Sequence, residues 1–282
     1  HRGLIIAMSR LTQVFADLHS DKRRGVIPYV VAGDPSPEGT VSLLHSLVDA
    51  GADVLELGVP FSDPMSEGPV IQKGHERALA NGMSLHRVLS MVAEFRKDND
   101  RTPIVMMGYA NPIERFGYEA FAAASAEAGV DGLITVDLPP EEVDTIDGAL
   151  KAVGLDNIFL ISPTTPEPRV QKIVERARGF IYYVAVKGVT GSGELNTDEV
   201  ARSVALIREK TALPIAVGFG IKNAASASAV AACADAVVVG SALIAEMQQK
   251  AHSAAGLEEI QIHGAAVKLL QSIRSGVDSS PS

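Results

Sequence analysis

Eight short apolar segments, rich in valine and isoleucine, are the feature that most constrains the fold of this 282-residue chain. They occupy residues 26–31, 54–58, 104–108, 132–136, 158–162, 180–186, 215–218 and 236–240. Most are continuous rather than alternating, which is typical of parallel strands that are buried on both faces. Segments with helical periodicity separate them, for example residues 40–50, 119–128 and 200–210. Eight repeats of strand and helix predict an α/β protein, a (β/α)8 TIM barrel.

The length of the chain fits a single barrel domain, because such barrels typically have about 250 residues. We expect the domain to span residues 8–274, with an extra helix before the first strand and extended loops after strands two and six. A doubly wound open sheet is the alternative architecture, but that fold has no need of eight evenly distributed strands. Residues 1–7 and 275–282 are expected to be disordered or non-core tails, and Met8 is a candidate natural start.

Composition argues against several classes of partner. The formal net charge is −9 and the Lys and Arg residues are scattered, so nucleic acid, which requires a basic surface, is not expected as a partner. No apolar run reaches the roughly 18 residues that can cross a bilayer, and residues 4–8 are too short for a signal-peptide core. We therefore expect a cytoplasmic protein without a membrane partner.

Cysteine and histidine usage gives no indication of a disulfide or a metal site. The single cysteine, Cys233, excludes an internal disulfide and is expected to be a small buried side chain. The seven histidines are dispersed and none has a His or Cys at ligand spacing. His75, His86 and His252 are expected on helix surfaces. The chain also lacks the glycine patterns of dinucleotide and nucleoside triphosphate sites.

One carboxylate stands inside an apolar strand segment. Glu56 lies between Leu55 and Leu57, where burial is expected, and a buried carboxylate is costly unless it is paired, hydrogen-bonded or protonated. Such a group is a candidate acid or base with a raised pKa, and a glutamate tied to a neighbouring strand residue is the structural alternative. Glu67 follows in a Pro- and Gly-rich loop after the same strand, where barrel enzymes place their chemistry.

Three glycine-containing turns follow the last three strand segments. They are residues 188–193, 218–220 and 240–241, and the last of them opens a helical segment. Backbone N–H groups beside a helix N-terminus form an anion site, and barrels commonly bind phosphate after strands seven and eight. Each glycine alone could serve as a mere turn former, but their joint position predicts a ligand that carries a phosphate group.

The amino-acid sequences of these segments resemble those of one known family. Residues 56–64 and 67–72 read Glu-Leu-Gly-Val-Pro-Phe-Ser-Asp-Pro and Glu-Gly-Pro-Val-Ile-Gln, which is similar to the catalytic segment of tryptophan synthase alpha subunits. The resemblance continues at residues 28–35, 108–112, 137–139, 188–191, 218–221 and 240–241. It covers roughly residues 10–274. It implies a lyase of tryptophan biosynthesis that cleaves indole-3-glycerol phosphate to indole and D-glyceraldehyde 3-phosphate.

The resemblance also implies roles for individual residues. Glu56 matches the family's proton shuttle, Glu67 the carboxylate beside the indole N–H, and Tyr182 the active-site tyrosine. Position 67 departs from the family, where aspartate is commonest, so the glutamate reaches further by one methylene. The matches to indole-contacting positions are Tyr29, Met107, Tyr109 and Ile134, and the matches to phosphate-binding positions are Gly191, Phe219, Gly220, Gly240 and Ser241. Thr190 matches the threonine of a loop that closes over the site.

The family's partner is a beta subunit that contains PLP, in an alpha2beta2 heterotetramer, and the resemblance implies no cofactor in this chain itself. Pro60, Asp63 and Asn111 match positions that face the partner. Three alternatives remain open: a stand-alone lyase that releases free indole, a non-catalytic sensor of a phosphorylated ligand, and another phosphosugar barrel such as indole-glycerol-phosphate synthase. The last needs a barrel lysine as its general acid, which these strand segments lack.

Overall fold

The computed structural model describes residues 8–138, 142–185, 196–218 and 220–281, and within them eight parallel strands close into a barrel. The strands are β1 Gly25–Val31, β2 Leu55–Gly58, β3 Ile104–Gly108, β4 Gly132–Thr135, β5 Asp156–Ile161, β6 Ile181–Val184, β7 Ile215–Gly218 and β8 Ala236–Val239. They pair in chain order, and β8 pairs with β1. The predicted (β/α)8 barrel is therefore confirmed.

Twelve helices accompany the strands in the described part of the chain. They are α1 Arg10–Ser20, α2 Thr40–Asp49, α3 Pro69–Ala80, α4 Leu85–Arg96, α5 Ala110–Phe116, α6 Tyr118–Ala128, α7 Val143–Ala152, α8 Glu167–Arg176, α9 Thr197–Arg208, α10 Ala224–Ala231, α11 Ser241–Ser253 and α12 Glu259–Asp278. The extra helix predicted before β1 is α1. The extension predicted after β2 consists of a loop followed by α3 and α4, whereas most of the one after β6 lies outside the described residues. Of the helices described here, none is both long and apolar enough to span a membrane.

Helix α1 closes the amino-terminal end of the barrel. It begins after Ser9, whose side chain accepts a hydrogen bond from the Thr12 backbone N–H and so caps the helix. Its apolar face, which includes Leu11 and Phe15, is buried in one hydrophobic cluster with side chains of the barrel interior. The Phe15 ring packs 5.6 Å, centroid to centroid, from that of Phe180. This end of the barrel is thus filled, which leaves the carboxyl ends of the strands as the open face.

Aspartates hold the strand starts together at the filled end. The Asp131 backbone N–H donates to the Ile104 carbonyl at 2.9 Å, and its Oδ2 accepts the Ile104 N–H at 2.8 Å. Arg96 binds the same carboxylate at 2.8 Å and Arg10 of α1 binds it at 3.0 Å. Equivalent sets join Asp53 to Val26 and Arg274, and Asp235 to Ile215 and Arg208. These carboxylates have the partners that offset the cost of taking a charge out of water.

The carboxyl-terminal boundary expected at residue 274 is wrong. Helix α12 continues to Asp278, and Val277 is only 3% exposed within the main hydrophobic core. Gly276 lies where α12 approaches α10, because a β-carbon there would be 2.4 Å from the Ala224 carbonyl oxygen. The end of the folded region is therefore determined by packing against α10 rather than by the polar composition of the segment.

Candidate active site

A cavity of about 420 Å³ opens at the carboxyl-terminal ends of the strands. Its walls combine strand ends with the loop after β2 and the starts of α3 and α11. The predicted residues that line it are Tyr29, Glu56, Glu67, Met107, Tyr182, Gly220, Gly240 and Ser241. Both candidate carboxylates thus face one cavity together with the glycine-rich turns, as a ligand with a ring at one end and a phosphate at the other would require.

Glu56 is buried within this cavity. It is the second residue of β2, pairs in register with Tyr29 of β1, and is 1% exposed. Among the described residues, nothing hydrogen-bonds to its Oε2 atom. Burial first, and then the negative charge of Glu67, raise the pKa of the Glu56 carboxyl to about 8. A group that titrates near neutral pH can both give and take a proton, which is the chemistry required of a general acid and base.

Glu67 reaches the same cavity from the loop after β2 and is hydrogen-bonded there. The Tyr29 hydroxyl donates to Oε1 at 2.9 Å, and the Tyr109 hydroxyl donates to Oε2 at 3.1 Å. The His75 Nε2 atom lies 2.9 Å from Oε2. The loop backbone is fixed as well, because the Gln72 amide donates to the Glu67 carbonyl at 2.7 Å. With its side chain 6% exposed, Glu67 is an oriented carboxylate in the cavity wall.

His75 is a polar residue of this site whose position the sequence did not predict. It was expected on a helix surface, but it lies on the inner face of α3 and is 1% exposed, so that prediction is wrong. Its Nδ1 atom accepts a hydrogen bond from the Phe61 backbone N–H at 3.0 Å. The spacing of Ile71, His75 and Ala78 on one helix face was the signal that could have indicated burial.

Two glycines leave room for tyrosine hydroxyls in the site. A β-carbon on Gly58 would lie 2.3 Å from the Tyr29 hydroxyl oxygen, and one on Gly218 would lie 2.3 Å from that of Tyr182. Burial, and then the charges of the two glutamates, raise the pKa of Tyr182 well above its ordinary value. The Tyr182 hydroxyl therefore keeps its proton and is available as a hydrogen-bond donor.

The glycine-rich side of the cavity has the geometry of an anion site. Helix α11 begins at Ser241, directly after Gly240, and both residues line the cavity. Gly220 lies on the same wall with φ +80°, a conformation that favours glycine. The first N–H groups of a helix have no partner within the helix and carry partial positive charge. A phosphate group is a suitable ligand for this position.

Two residues predicted at the indole pocket, Tyr109 and Ile134, are buried and are not part of the cavity lining. Tyr109 acts through its hydrogen bond to Glu67, and its ring stacks on Phe61 at 4.9 Å. Ile134 is buried in the barrel interior, in the same hydrophobic cluster as Tyr182. Cavity residues that were not predicted include Val136, Leu160, Ser162 and Val184. They lie at or just beyond the ends of strands, and this position was the signal available for them.

The other predicted residues lie near the cavity, on the surface or outside the described part of the chain. Pro60 is buried, whereas Asp63 and Asn111 are exposed. His86 and His252 are exposed as expected, and Cys233 is half-buried rather than buried. The predictions for Thr190, Gly191 and Phe219 fall outside the described residues. Within those residues, no group of three or more His, Cys, Asp or Glu side chains is arranged to hold a metal ion.

Comparison with known proteins agrees with this geometry. The family described as Tryptophan synthase alpha chain matches residues 15–270. This chain belongs to that family. It is 54% identical over 274 residues to the tryptophan synthase alpha chain of Thiobacillus denitrificans, covering 97% of both chains. It is 53% identical over 272 residues to that of Dechloromonas aromatica, covering 96% of this chain and 98% of the relative.

Solved structures give the same result. Tryptophan synthase subunit alpha from Legionella pneumophila has a TM-score of 0.88 at 45% identity, covering 96% of this chain and 99% of that one. A chain of aminoacrylate-bound tryptophan synthase from M. tuberculosis has a TM-score of 0.82 at 31% identity, covering 96% of this chain and 100% of that one. The chain is accordingly a lyase of tryptophan biosynthesis that cleaves indole-3-glycerol phosphate. These similarities do not favour a stand-alone indole lyase, a ligand sensor or another phosphosugar barrel.

Proposed function

We propose that Glu56 is the proton shuttle in the cleavage of indole-3-glycerol phosphate to indole and D-glyceraldehyde 3-phosphate. The observation that carries this proposal is a buried carboxyl in the cavity wall, whose Oε2 has no hydrogen-bond partner among the described residues. Its pKa, raised to about 8, keeps it mostly protonated at neutral pH. The carboxyl therefore has a proton to deliver to C3 of the indole ring.

Glu56 alone can then carry out both proton transfers of the reaction. Protonation of C3 gives an indolenine and leaves Glu56 as a carboxylate. The carboxylate removes the proton from the hydroxyl on the adjacent glycerol carbon, that carbon becomes the aldehyde of glyceraldehyde 3-phosphate, and the electron pair of the broken carbon–carbon bond returns to the indole ring. Glu56 ends protonated as it began, so each turnover consumes no external acid or base.

Glu67 and Tyr182 are proposed to support this step. Glu67 accepts the ring N–H and stabilises the positive charge of the indolenine, an interaction strengthened by its exclusion from water. The Tyr182 hydroxyl, whose pKa is raised in part by the charge of Glu56, helps to hold the reacting groups. The indole ring would pack against Tyr29 and Met107, which line the cavity, and Tyr109 and Ile134 are proposed for the same pocket by their match to the family.

The phosphate is proposed to bind at the glycine-rich turns that follow β7 and β8. The start of α11 supports this assignment, because Gly240 and Ser241 present backbone N–H groups beside Gly220. Gly191 and Phe219, together with Thr190 on a closing loop, complete the proposed set by their match to the family. A ligand held at its phosphate would place its ring beside the two glutamates, which fixes the reacting carbon near Glu56.

We further propose a PLP-containing beta subunit as partner, in an alpha2beta2 heterotetramer that receives the indole, with no cofactor in this chain. Membership in the alpha chain family supports this partner. The proposed contacts are Pro60, Asp63 and Asn111, of which Asp63 and Asn111 are exposed on the open side of the barrel. A cytoplasmic location is part of the same proposal.

The test of the activity is an indole assay with the purified chain and indole-3-glycerol phosphate, alone and with a tryptophan synthase beta subunit. We expect indole release by the chain alone, faster release in the complex, and coelution of the two proteins. Glyceraldehyde 3-phosphate should form in equal amount. A chain that binds indole-3-glycerol phosphate but yields no indole, with or without the beta subunit, would contradict the proposal.

A further inference from the structure

The imidazole of His75 connects the two ends of the loop that carries Glu67. Its Nδ1 accepts the Phe61 backbone N–H at 3.0 Å at the start of the loop, and its Nε2 lies 2.9 Å from the Glu67 carboxylate at the end. Between these points Ser62 and Met65 are exposed, Met65 by 85%. The His75 side chain, which is 2% exposed, thus holds both ends of a loop whose middle is exposed to solvent.

The hydrogen-bond pattern determines which nitrogen of His75 carries the proton. Because Nδ1 accepts the N–H of Phe61, it carries no proton, and the ring proton is assigned to Nε2. Nε2 therefore donates to Oε2 of Glu67. A backbone amide thus fixes the tautomer that makes His75 a donor to the carboxylate.

Counting acceptor positions indicates what this donor does. A carboxylate has about four lone-pair positions on its two oxygens. Within the described structure, the Tyr29 hydroxyl, the Tyr109 hydroxyl and His75 occupy three of them. One position is left for an incoming N–H. Phe61 reinforces the arrangement, because its ring stacks on Tyr109 while its backbone binds His75.

We propose that His75 is a positioning residue, which aims the remaining acceptor position of Glu67 at the indole N–H. This inference rests on the proposed role of Glu67 as the partner of the ring. Glutamate has one more rotatable bond than aspartate, and the donor from α3 restricts that additional freedom. Without it, the carboxylate would still be present but would no longer be held where positive charge develops on the ring.

The expected signature is a loss of kcat with little change in KM. The phosphate, which is proposed to bind at the start of α11, is expected to provide most of the ground-state binding, so misdirecting Glu67 should affect mainly the transition state. His75→Phe keeps a flat ring of similar size but has neither donor nor acceptor. We expect it to lower kcat by about 10- to 100-fold, the scale of one hydrogen bond to a charged group.

Two amide variants separate the contact of the imidazole with Phe61 from its contact with Glu67. In His75→Gln the amide nitrogen can reach the position of Nε2, so the donor to Glu67 is kept and kcat should remain within a few-fold of the parent. In His75→Asn the shorter side chain can accept the Phe61 backbone N–H but cannot donate to Glu67, so kcat should fall as in His75→Phe. The control is His86→Phe, at an exposed position on α4, which should leave kcat unchanged. This comparison decides the question even if His75→Phe does not fold.

A double-variant cycle tests whether His75 acts through Glu67. In a Glu67→Ala background, measured under single-turnover conditions, His75→Phe should reduce the rate no further. An equal loss in both backgrounds would overturn the inference, because His75 would then act only on the fold. Full activity of His75→Phe beside an inactive Glu67→Ala would also overturn it while leaving the proposed function intact. An active Glu67→Ala would instead refute the proposed role of Glu67 and, with it, this inference.

Discussion

At the amino-terminal end of the barrel, Asp131 accepts the Ile104 backbone N–H and ion pairs with Arg96 and Arg10, whereas at the carboxyl-terminal end Glu56 has no described partner for Oε2. Both side chains are removed from water. The first carboxylate joins strands and helices, because every bond it makes connects two elements. The second, Glu56, lowers the cost of its burial by taking up a proton. The cost of burying a carboxylate is thus offset by ion pairs at one end, which stabilise the fold. At the other end it is offset by protonation, which gives a reactive acid.

Asp156 is an intermediate case that clarifies the comparison. It lies at the start of β5, at the filled end, and in the described structure its Oδ2 is also without a hydrogen-bond partner. Burial raises the pKa of Asp156 to about 6, and the nearby charge of Arg178 opposes that rise. For Glu56, by contrast, the nearby charge is that of Glu67, which adds to the effect of burial. More complete burial of Glu56, together with a neighbouring charge of the same sign, therefore raises its pKa further than that of Asp156.

The largest effect is expected for Glu56→Gln, which should lower kcat by about 10²–10⁴-fold, the usual contribution of a positioned acid or base. The amide keeps the shape of the side chain but can neither protonate C3 nor take the hydroxyl proton. Binding of a phosphate-bearing substrate analogue should be nearly unchanged, and thermal unfolding should show no loss of stability. More than a tenth of the parental kcat in this variant would contradict the shuttle assignment.

At the amino-terminal end of the barrel, Asp131→Asn should lower the free energy of unfolding without lowering kcat. Arg96, 9% exposed, would keep its charge without its counter-charge, and breaking a buried pair in this way costs about 3–5 kcal/mol. Denaturant unfolding measures this loss, while kcat per folded molecule should stay at the parental value. The matched control is Asp144→Asn, whose carboxylate is 81% exposed in its pair with Arg176 and should contribute less than about 1 kcal/mol.

A smaller effect is expected at the glycine-rich wall. Ser241→Asp places a carboxylate at the start of α11, where it should repel a phosphate and occupy the helix N-terminus, so KM should rise by about tenfold with kcat less affected. The same substitution at exposed Ser253, the last residue of that helix, is the control for added charge. If glycerol 3-phosphate binds both variants as tightly as the parent, the phosphate site lies elsewhere.

How much of this the sequence predicts depends on the kind of signal. The strands were predictable because each is a continuous apolar run, and Glu56 because a charge inside such a run conflicts with its neighbours. The burial of Val277 was missed because the polar residues around it mask its helical spacing from Leu270 and Ile273. The burial of His75 was missed because its spacing from Ile71 and Ala78 is a weaker signal than the polarity of its imidazole.

The aspartate network at the filled end could not be predicted at all. Asp131 and Ile104 meet only because the register between β3 and β4 brings the two strand starts together. Register depends on long-range pairing that no local pattern encodes. The sequence therefore predicted the reactive end better than the stabilising end, because functional residues lie in a recognisable motif while structural pairs are spread over distant segments.

The most direct test of the account is the titration of Glu56 itself. Carbon-13 NMR of the glutamate carboxyl groups in the ligand-free chain would follow its protonation, with Glu56→Gln identifying the signal. We expect a midpoint near the value of about 8 set by burial and the charge of Glu67, and a lower midpoint in Glu67→Gln, where that charge is removed. A midpoint near the ordinary glutamate value of about 4.3 would contradict the central claim that this end of the barrel holds a carboxyl in its protonated form.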